Sequence, residues 1–167
     1  MKKVELLIIF MGLFLIDGFV FSQGLGDFKP GSEPDGFRGN KWGTDISTLK
    51  DMVFVTGIDE NVKRYKRKRD ELKIGKAKLD YIQYEFRNGK FCLVEMSFQG
   101  IENFNRAKEA MFETFGKVQN MSEESKKISE SYFWEGEKTD IAMIFDEDVG
   151  EVLQLAVRDV ELVSVFP

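Results

Sequence analysis

Polar and apolar side chains alternate most clearly in the middle of the chain. Tyr81–Phe86 and Lys90–Phe98 both alternate and are rich in aromatic and β-branched residues, a pattern typical of strands with one buried face. The short polar segment Arg87-Asn88-Gly89 separates them. The stretch therefore predicts an antiparallel hairpin.

The register of this hairpin depends on the length of its loop. Asn88-Gly89 suits a two-residue loop, but that loop would place Ile82 opposite Glu95. A three-residue loop with Gly89 in a bulge position pairs Ile82 with Val94 instead and gathers the apolar residues on one face, so we expect this second register. The opposite face would then be half apolar and carry Tyr81, Gln83, Glu85, Phe91, Leu93 and Glu95.

Two helices are predicted, one on each side of the basic and hairpin segments. The first would be capped by Thr44 or Asp45, because apolar residues share one helical face directly after this pair. The second would follow Gly100 and end at Gly116, a residue type that suits helix ends. The apolar positions are Ile46, Leu49 and Met52 in the first helix, and Phe104, Ala107, Met111 and Phe115 in the second.

The remaining apolar runs predict further strands. Two segments precede the hairpin: Met52–Gly57, which the pattern predicts as a buried segment or short strand, and the basic run Val62–Arg69. Ser131–Glu135, Thr139–Phe145 and Glu151–Arg158 predict a three-strand meander, and Val160–Val163 closes the chain.

This order of elements predicts an α+β fold. We expect an antiparallel sheet of about five to six strands with two helices packed on one face. The order also permits a duplicated helix-plus-meander unit, although no residue pattern repeats strictly.

The N-terminal residues predict export. Lys2 and Lys3 precede an apolar run, Leu6–Phe21, and a small-residue cleavage site ends at Ser22, so we interpret residues 1–22 as a signal peptide. A retained membrane anchor is the alternative, although Asp17 and Gly18 interrupt the run. Residues 23–36 are rich in glycine and proline and predict a flexible leader, followed by one domain over residues 37–167. The predicted location is the periplasm or another part of the cell envelope.

Composition narrows the chemistry that the domain can perform. Hydrophobic residues make up 43% of the chain and include sixteen Phe, which is enough for a packed core. The net charge of -5 argues against nucleic acid as a partner. The chain contains no histidine, which removes the commonest general base and metal ligand, and its single cysteine, Cys92, is expected to be an inert core residue. We expect no enzyme activity and no cofactor.

One acidic cluster resembles the start of a calcium loop. Asp146, Asp148 and Gly150 follow an Asp-x-Asp-x-Gly pattern. Gly150 lies where an oxygen ligand is needed, however, and Val157 occupies the position of the bidentate glutamate. The cluster is therefore predicted to be a turn rather than a metal site.

The basic run is the best candidate for a contact surface. A strand this rich in lysine and arginine can bind an anionic partner, and aromatic side chains on the half-apolar face could add contacts. Alternatively, the cations keep an edge strand from pairing with other sheets. The candidate binding residues are Arg64, Lys66, Arg67, Lys68, Arg69, Tyr81 and Phe91.

Aromatic residues and glycines recur at spacings that resemble known small exported bacterial proteins. The matching residues are Phe37-Arg38-Gly39, Trp42-Gly43-Thr44, Tyr84, Phe86, Gly89-Lys90, Phe115-Gly116-Lys117, Tyr132 and Trp134. The layout is also similar to the helix-and-meander modules of the beta-lactamase-inhibitor-protein and SmpA/OmlA outer-membrane lipoprotein families. Two features differ from the lipoprotein family: no cysteine follows the signal, and Val118 replaces a loop proline.

These features predict a function in the cell envelope. We expect an exported, non-catalytic binding or scaffold domain whose partner is a protein. One alternative is a carboxylate-dependent hydrolase of envelope glycans, which would need two close carboxylates in a cleft. Another is attachment to anionic lipid through the basic residues 63–78.

Overall fold

A computed structural model describes residues 26–121, 128–146 and 150–157. It contains one α-helix, α1, over Ile101–Phe115. The strands are β1 Gly26–Asp27, β2 Gly36–Phe37, β3 Asn40–Lys41, β4 Met52–Gly57, β5 Val62–Arg67, β6 Lys73–Ile74, β7 Ala77–Lys78, β8 Tyr81–Arg87, β9 Lys90–Phe98, β10 Ile128–Glu135, β11 Thr139–Asp146 and β12 Gly150–Val157. Among the described residues, no helix is both long and apolar enough to cross a membrane.

Eight of these strands form one sheet in the order β1-β10-β11-β12-β9-β8-β5-β4. Every neighbouring pair is antiparallel except β1 with β10, which is parallel. Helix α1 carries the chain from β9 to β10, and the following meander returns until β12 pairs with β9. Two short hairpins, β2-β3 and β6-β7, lie outside this sheet.

The predicted fold class is wrong in its helices and in the size of its sheet. Within the described residues the structure is mostly β, with one α-helix instead of two and a sheet larger than expected. The first predicted helix is a single 3-10 turn, Ile46–Thr48, because Leu49 already has extended backbone angles and β4 begins at Met52. Without this helix, the sequence-based case for a duplicated helix-plus-meander unit is lost.

The second predicted helix is confirmed as α1. It begins after Gly100 and buries Phe104, Ala107 and Met111. The Phe104 ring contacts Phe98 of the sheet at a centroid separation of 6.3 Å. Helix α1 thus covers part of the core face of the sheet.

An irregular N-terminal segment, and not the first predicted helix, packs on the core side of the sheet. The Trp42 ring lies 4.8 Å from Phe91, and the Phe37 ring lies 5.9 Å from Tyr84, measured between centroids. The Trp42 indole also donates a hydrogen bond to the hydroxyl of Thr139. These aromatic contacts bury the core side of β8 and β9, so Trp42 packs on the sheet and not on a helix.

The central hairpin is confirmed, but its predicted register is wrong. Arg87 pairs with Lys90, so the loop has only two residues, and Ile82 lies opposite Met96. Both loop residues have positive φ, 49° at Asn88 and 76° at Gly89, which fits the two-residue turn. A bulge at Cys92 shifts the register, since Phe86 faces Phe91 whereas Glu85 faces Leu93. The bulge reconciles the short loop with an apolar core face.

The predicted leader makes specific contacts from Gly26 onward. Gly26 and Asp27 form β1 beside β10, and the backbone N–H of Lys29 donates to the carbonyl of Phe115. The predicted signal peptide, residues 147–149 of the predicted acidic turn and the predicted strand Val160–Val163 lie outside the described residues.

Candidate functional site

The basic run predicted as a strand is confirmed as β5, which lies one place inside the edge of the sheet. It pairs with β4 on one side and with β8 on the other. Strand β4 is therefore the edge on this side among the described strands. This location divides the basic side chains into internal and exposed groups.

Arg64 belongs to the internal group. Its guanidinium donates to Glu85 across 3.0 Å from Nε and lies 3.5 Å from Glu95 through Nη1. Its side chain is only 13% exposed, while those of the two glutamates are 1% and 2% exposed. The hydroxyl of Tyr81 donates to Glu95 across 2.7 Å. Arg64 is therefore committed to holding two buried carboxylates within this fold.

This cluster has one feature that a carboxylate-dependent hydrolase would need. Burial raises the pKa of the Glu85 carboxyl, while the charge of Arg64 and its hydrogen bond oppose the rise. The side chains of Glu85 and Glu95 are almost fully buried, however, and both lie against the same guanidinium. A glycan therefore has no surface on which to meet these acids, and their geometry fits an internal ion cluster.

Arg67 is also held within the protein. Its Nε donates to the carboxylate of Asp51, and Nη1 donates to the backbone carbonyl of Arg38 across 3.1 Å. The hydrogen bond from Arg67 holds the pKa of Asp51 below its usual value, although the limited burial of that carboxyl works in the opposite direction. Arg67 thus fastens the start of β4 and the β2-β3 turn.

The other cations of the run point to solvent. Lys63, Lys66, Lys68 and Arg69 are exposed, and none makes an ion pair with another residue in the described ranges. We call these four residues the basic patch. Lys66, Lys68 and Arg69 are predicted binding residues that a partner can reach, and Lys63 adds an exposed cation that the predicted site did not include.

The two aromatic candidates lie elsewhere. Phe91 is fully buried at 0% exposure, so its predicted place on the half-apolar face is wrong. The bulge at Cys92 explains the difference, because it turns Phe91 onto the core face against Trp42. Tyr81 is half-buried, and its hydroxyl is already bonded to Glu95.

Cys92 is buried, as expected. Burial and the nearby charge of Glu85 raise the pKa of its thiol to about 12. No group of acidic or sulfur ligands in the described ranges is arranged to hold a metal ion.

The prediction of Met52–Gly57 as a buried segment is wrong for its second half, and it missed an apolar surface next to the basic patch. Phe54 and Val55 of β4 are 56% and 41% exposed, and Ile58 just beyond the strand is 40% exposed. The sequence did contain a signal, since Val53-Phe54-Val55 is apolar at consecutive positions although a half-buried strand should alternate. The basic patch and these apolar residues form the candidate site.

Known proteins give no further identification of this site. Comparison of the chain with models of protein families, with curated proteins and with solved structures finds no match.

Proposed function

We propose that this chain is an exported, non-catalytic binding domain of the bacterial cell envelope and that its partner is a protein. The observation that carries the proposal is an exposed apolar strand edge, at Phe54 and Val55, beside four exposed cations. Large apolar side chains flanked by charge are typical of protein contact surfaces.

The local charge distribution favours a protein over a lipid surface. Stable electrostatic attachment to a bilayer usually requires a dense cationic cluster. Here the exposed acids Asp59, Glu60 and Glu71 lie along the same part of the chain as the basic patch, and the whole chain carries a charge of -5. A partner protein can match such a mixed pattern site by site, whereas a uniformly anionic membrane cannot.

Site-specific cross-linking would test this proposal. A photoreactive amino acid placed at Lys68 should capture an envelope protein in living cells, and the purified partner should then bind the purified chain. Lys66→Glu/Lys68→Glu should weaken that binding at least about tenfold, since two of the four positive charges of the basic patch are reversed. Arg64 and Arg67 are left unchanged because both make ion pairs within the fold.

The matched control is Lys76→Glu/Lys117→Glu, which changes the net charge equally at two exposed positions outside β4 and β5. Equal weakening by both double variants would show that binding depends on net charge alone, and it would contradict the proposed surface. Salt-sensitive binding to phosphatidylglycerol vesicles, with no cross-linked protein, would favour lipid attachment instead. A cytoplasmic chain that retains residues 1–22 would contradict the exported location.

A further inference from the structure

We propose, on the basis of the function above, that the partner contributes an extended acidic segment that adds to β4 as a new strand. Such β-strand addition uses unpaired backbone groups at a sheet edge for affinity and side-chain pattern for specificity. Three observations on β4 support this mode of binding.

The first observation is the direction of the backbone groups in β4. The N–H of Lys68 donates to the carbonyl of Asp51, so these two residues form a hydrogen-bonded pair. Antiparallel pairs alternate between hydrogen-bonded and non-bonded positions, and Met52 and Phe54 fall on the non-bonded ones. Their N–H and C=O groups therefore point away from β5, toward the side where no described strand pairs with β4.

The second observation is an aromatic ladder that ends at this edge. The Phe54 ring lies 5.7 Å from Tyr65, and Tyr65 lies 5.2 Å from Phe86, each measured between centroids. Phe86 is part of the buried core, while Phe54 remains 56% exposed. Phe54 thus packs on Tyr65 and leaves more than half of its surface open to an added strand.

The third observation is the charge beside this edge. Lys66 is opposite Val53, on the face of the sheet away from Phe54 and Tyr65. Two strand spacings, about 10 Å, separate β5 from an added strand, a gap that a lysine and a glutamate side chain together can span. Lys68, two residues after Lys66, extends the positive charge toward the start of β4, whereas Lys63 is opposite Gly57 at the other end and on the face of Tyr65.

These observations define the pattern of the partner segment. Apolar side chains on one face would pack against Phe54, and acidic side chains on the other face would meet Lys66. A second copy of the chain fits poorly, because antiparallel pairing of two β4 edges would bring the two basic patches together.

Amide hydrogen exchange on the full chain would test this inference. The probe is a synthetic peptide of roughly eight residues, the length of an ordinary strand, with alternating glutamate and valine. We expect binding to slow exchange at Met52 and Phe54, whose N–H groups gain partners, by at least about tenfold. A peptide with lysine in place of glutamate should not bind.

Two variants separate the backbone contribution from the side-chain contribution. Phe54→Ala removes the ring but keeps the outward N–H and should weaken peptide binding about tenfold. Phe54→Pro also removes that N–H and should abolish binding, while circular dichroism confirms that the fold is retained.

Several outcomes would overturn strand addition. They are failure of the peptide to bind, protection only at amides outside β4, equal effects of the two variants in folded protein, and dimers of the free chain that compete with the peptide. A cross-linked partner whose binding still depends on Lys66 and Lys68 would, in those cases, leave the protein-binding function standing without this mode of contact.

Discussion

At the scale of single residues, we expect the stability of the fold to depend most on Arg64. It is the cation that lies against two carboxylates, Glu85 and Glu95, which are 1% and 2% exposed. Removing one partner from a buried ion pair leaves charge without compensation in a place that water cannot reach.

Arg64→Met should therefore lower the free energy of unfolding by about 3–5 kcal/mol. Urea denaturation followed by tryptophan fluorescence measures this loss. The matched control is Lys66→Met, two positions along the same strand, where the side chain is exposed and the expected change is within about 0.5 kcal/mol. Similar losses in both variants would contradict the internal role of Arg64.

Because of Glu85, the stability of the fold should depend on pH, and the direction of that dependence follows from the shift in its pKa. Burial raises the pKa of this carboxyl, so the folded state holds the proton more tightly than the unfolded chain does. The resulting stabilisation is present below the unfolded pKa, about 4.3, and is lost as pH rises through the folded value. As pH rises above the unfolded pKa, the stability of Glu85→Gln should therefore increase relative to that of the wild type. Denaturation curves that keep a constant offset across this pH range would contradict the raised pKa.

Cys92 should be unreactive in the folded chain. Burial raises the pKa of its thiol to about 12, so very little reactive thiolate is present near pH 8. Alkylation by iodoacetamide, followed by mass spectrometry, should be slow in buffer and fast in urea. Equal rates in the two solutions would show that the thiol is exposed and ionised.

At the scale of elements, the central hairpin shows which structural features the alternation of residues predicts and which it does not. The alternation in Tyr81–Phe86 and the glycine at position 89 were sufficient to predict two strands and a turn. The bulge at Cys92 was not predictable, because an extra residue reverses the alternation without leaving a residue type that marks it. The prediction that Phe91 lies on the half-apolar face was wrong for the same reason.

The first predicted helix failed for a different physical reason. Asp45 does accept hydrogen bonds from the N–H and hydroxyl of Ser47, as a capping residue should. The apolar spacing of Ile46, Leu49 and Met52 nevertheless arises from a single turn followed by a strand, since packing against the sheet decides between these structures. The composition of the sequence was sufficient to predict the basic strand. Which of its cations are internal and which are exposed could be determined only from the pairing of β5 with β8.

The turn of this hairpin gives a prediction for an element. Gly89 has a φ of 76°, and an added methyl group would meet only Ile46 at 3.8 Å, so the penalty is conformational and not steric. Gly89→Ala should cost about 1–2 kcal/mol of unfolding free energy. Gly57→Ala is the control, because Gly57 is not in the left-handed region and its nearest contact is 3.6 Å away. An equal loss in the control would refute this assignment.

At the scale of the whole molecule, the predicted leader and the residues that follow it connect β11 and β9, which lie on either side of β12 in the large sheet. One carboxylate oxygen of Glu33 accepts hydrogen bonds from the N–H groups of Lys138 and Thr139, at 2.6 and 2.8 Å. Trp42, nine residues later, packs on Phe91 and donates to the same Thr139. The segment therefore joins the start of β11 to the core side of β9.

Glu33→Ala should consequently destabilise the whole fold, because it leaves the N–H of fully buried Thr139 without its acceptor. The expected loss is about 1–3 kcal/mol in chemical denaturation at neutral pH.

Partial burial raises the pKa of Glu33, but the hydrogen bonds from Lys138 and Thr139 outweigh it and lower the pKa overall. The stabilisation is thus present above the unfolded pKa and is lost as pH falls through the folded value, so wild type and variant should converge in acid. Glu137→Ala, an exposed acid on the same turn, should leave stability unchanged. If both variants behave alike, the leader does not hold the sheet together.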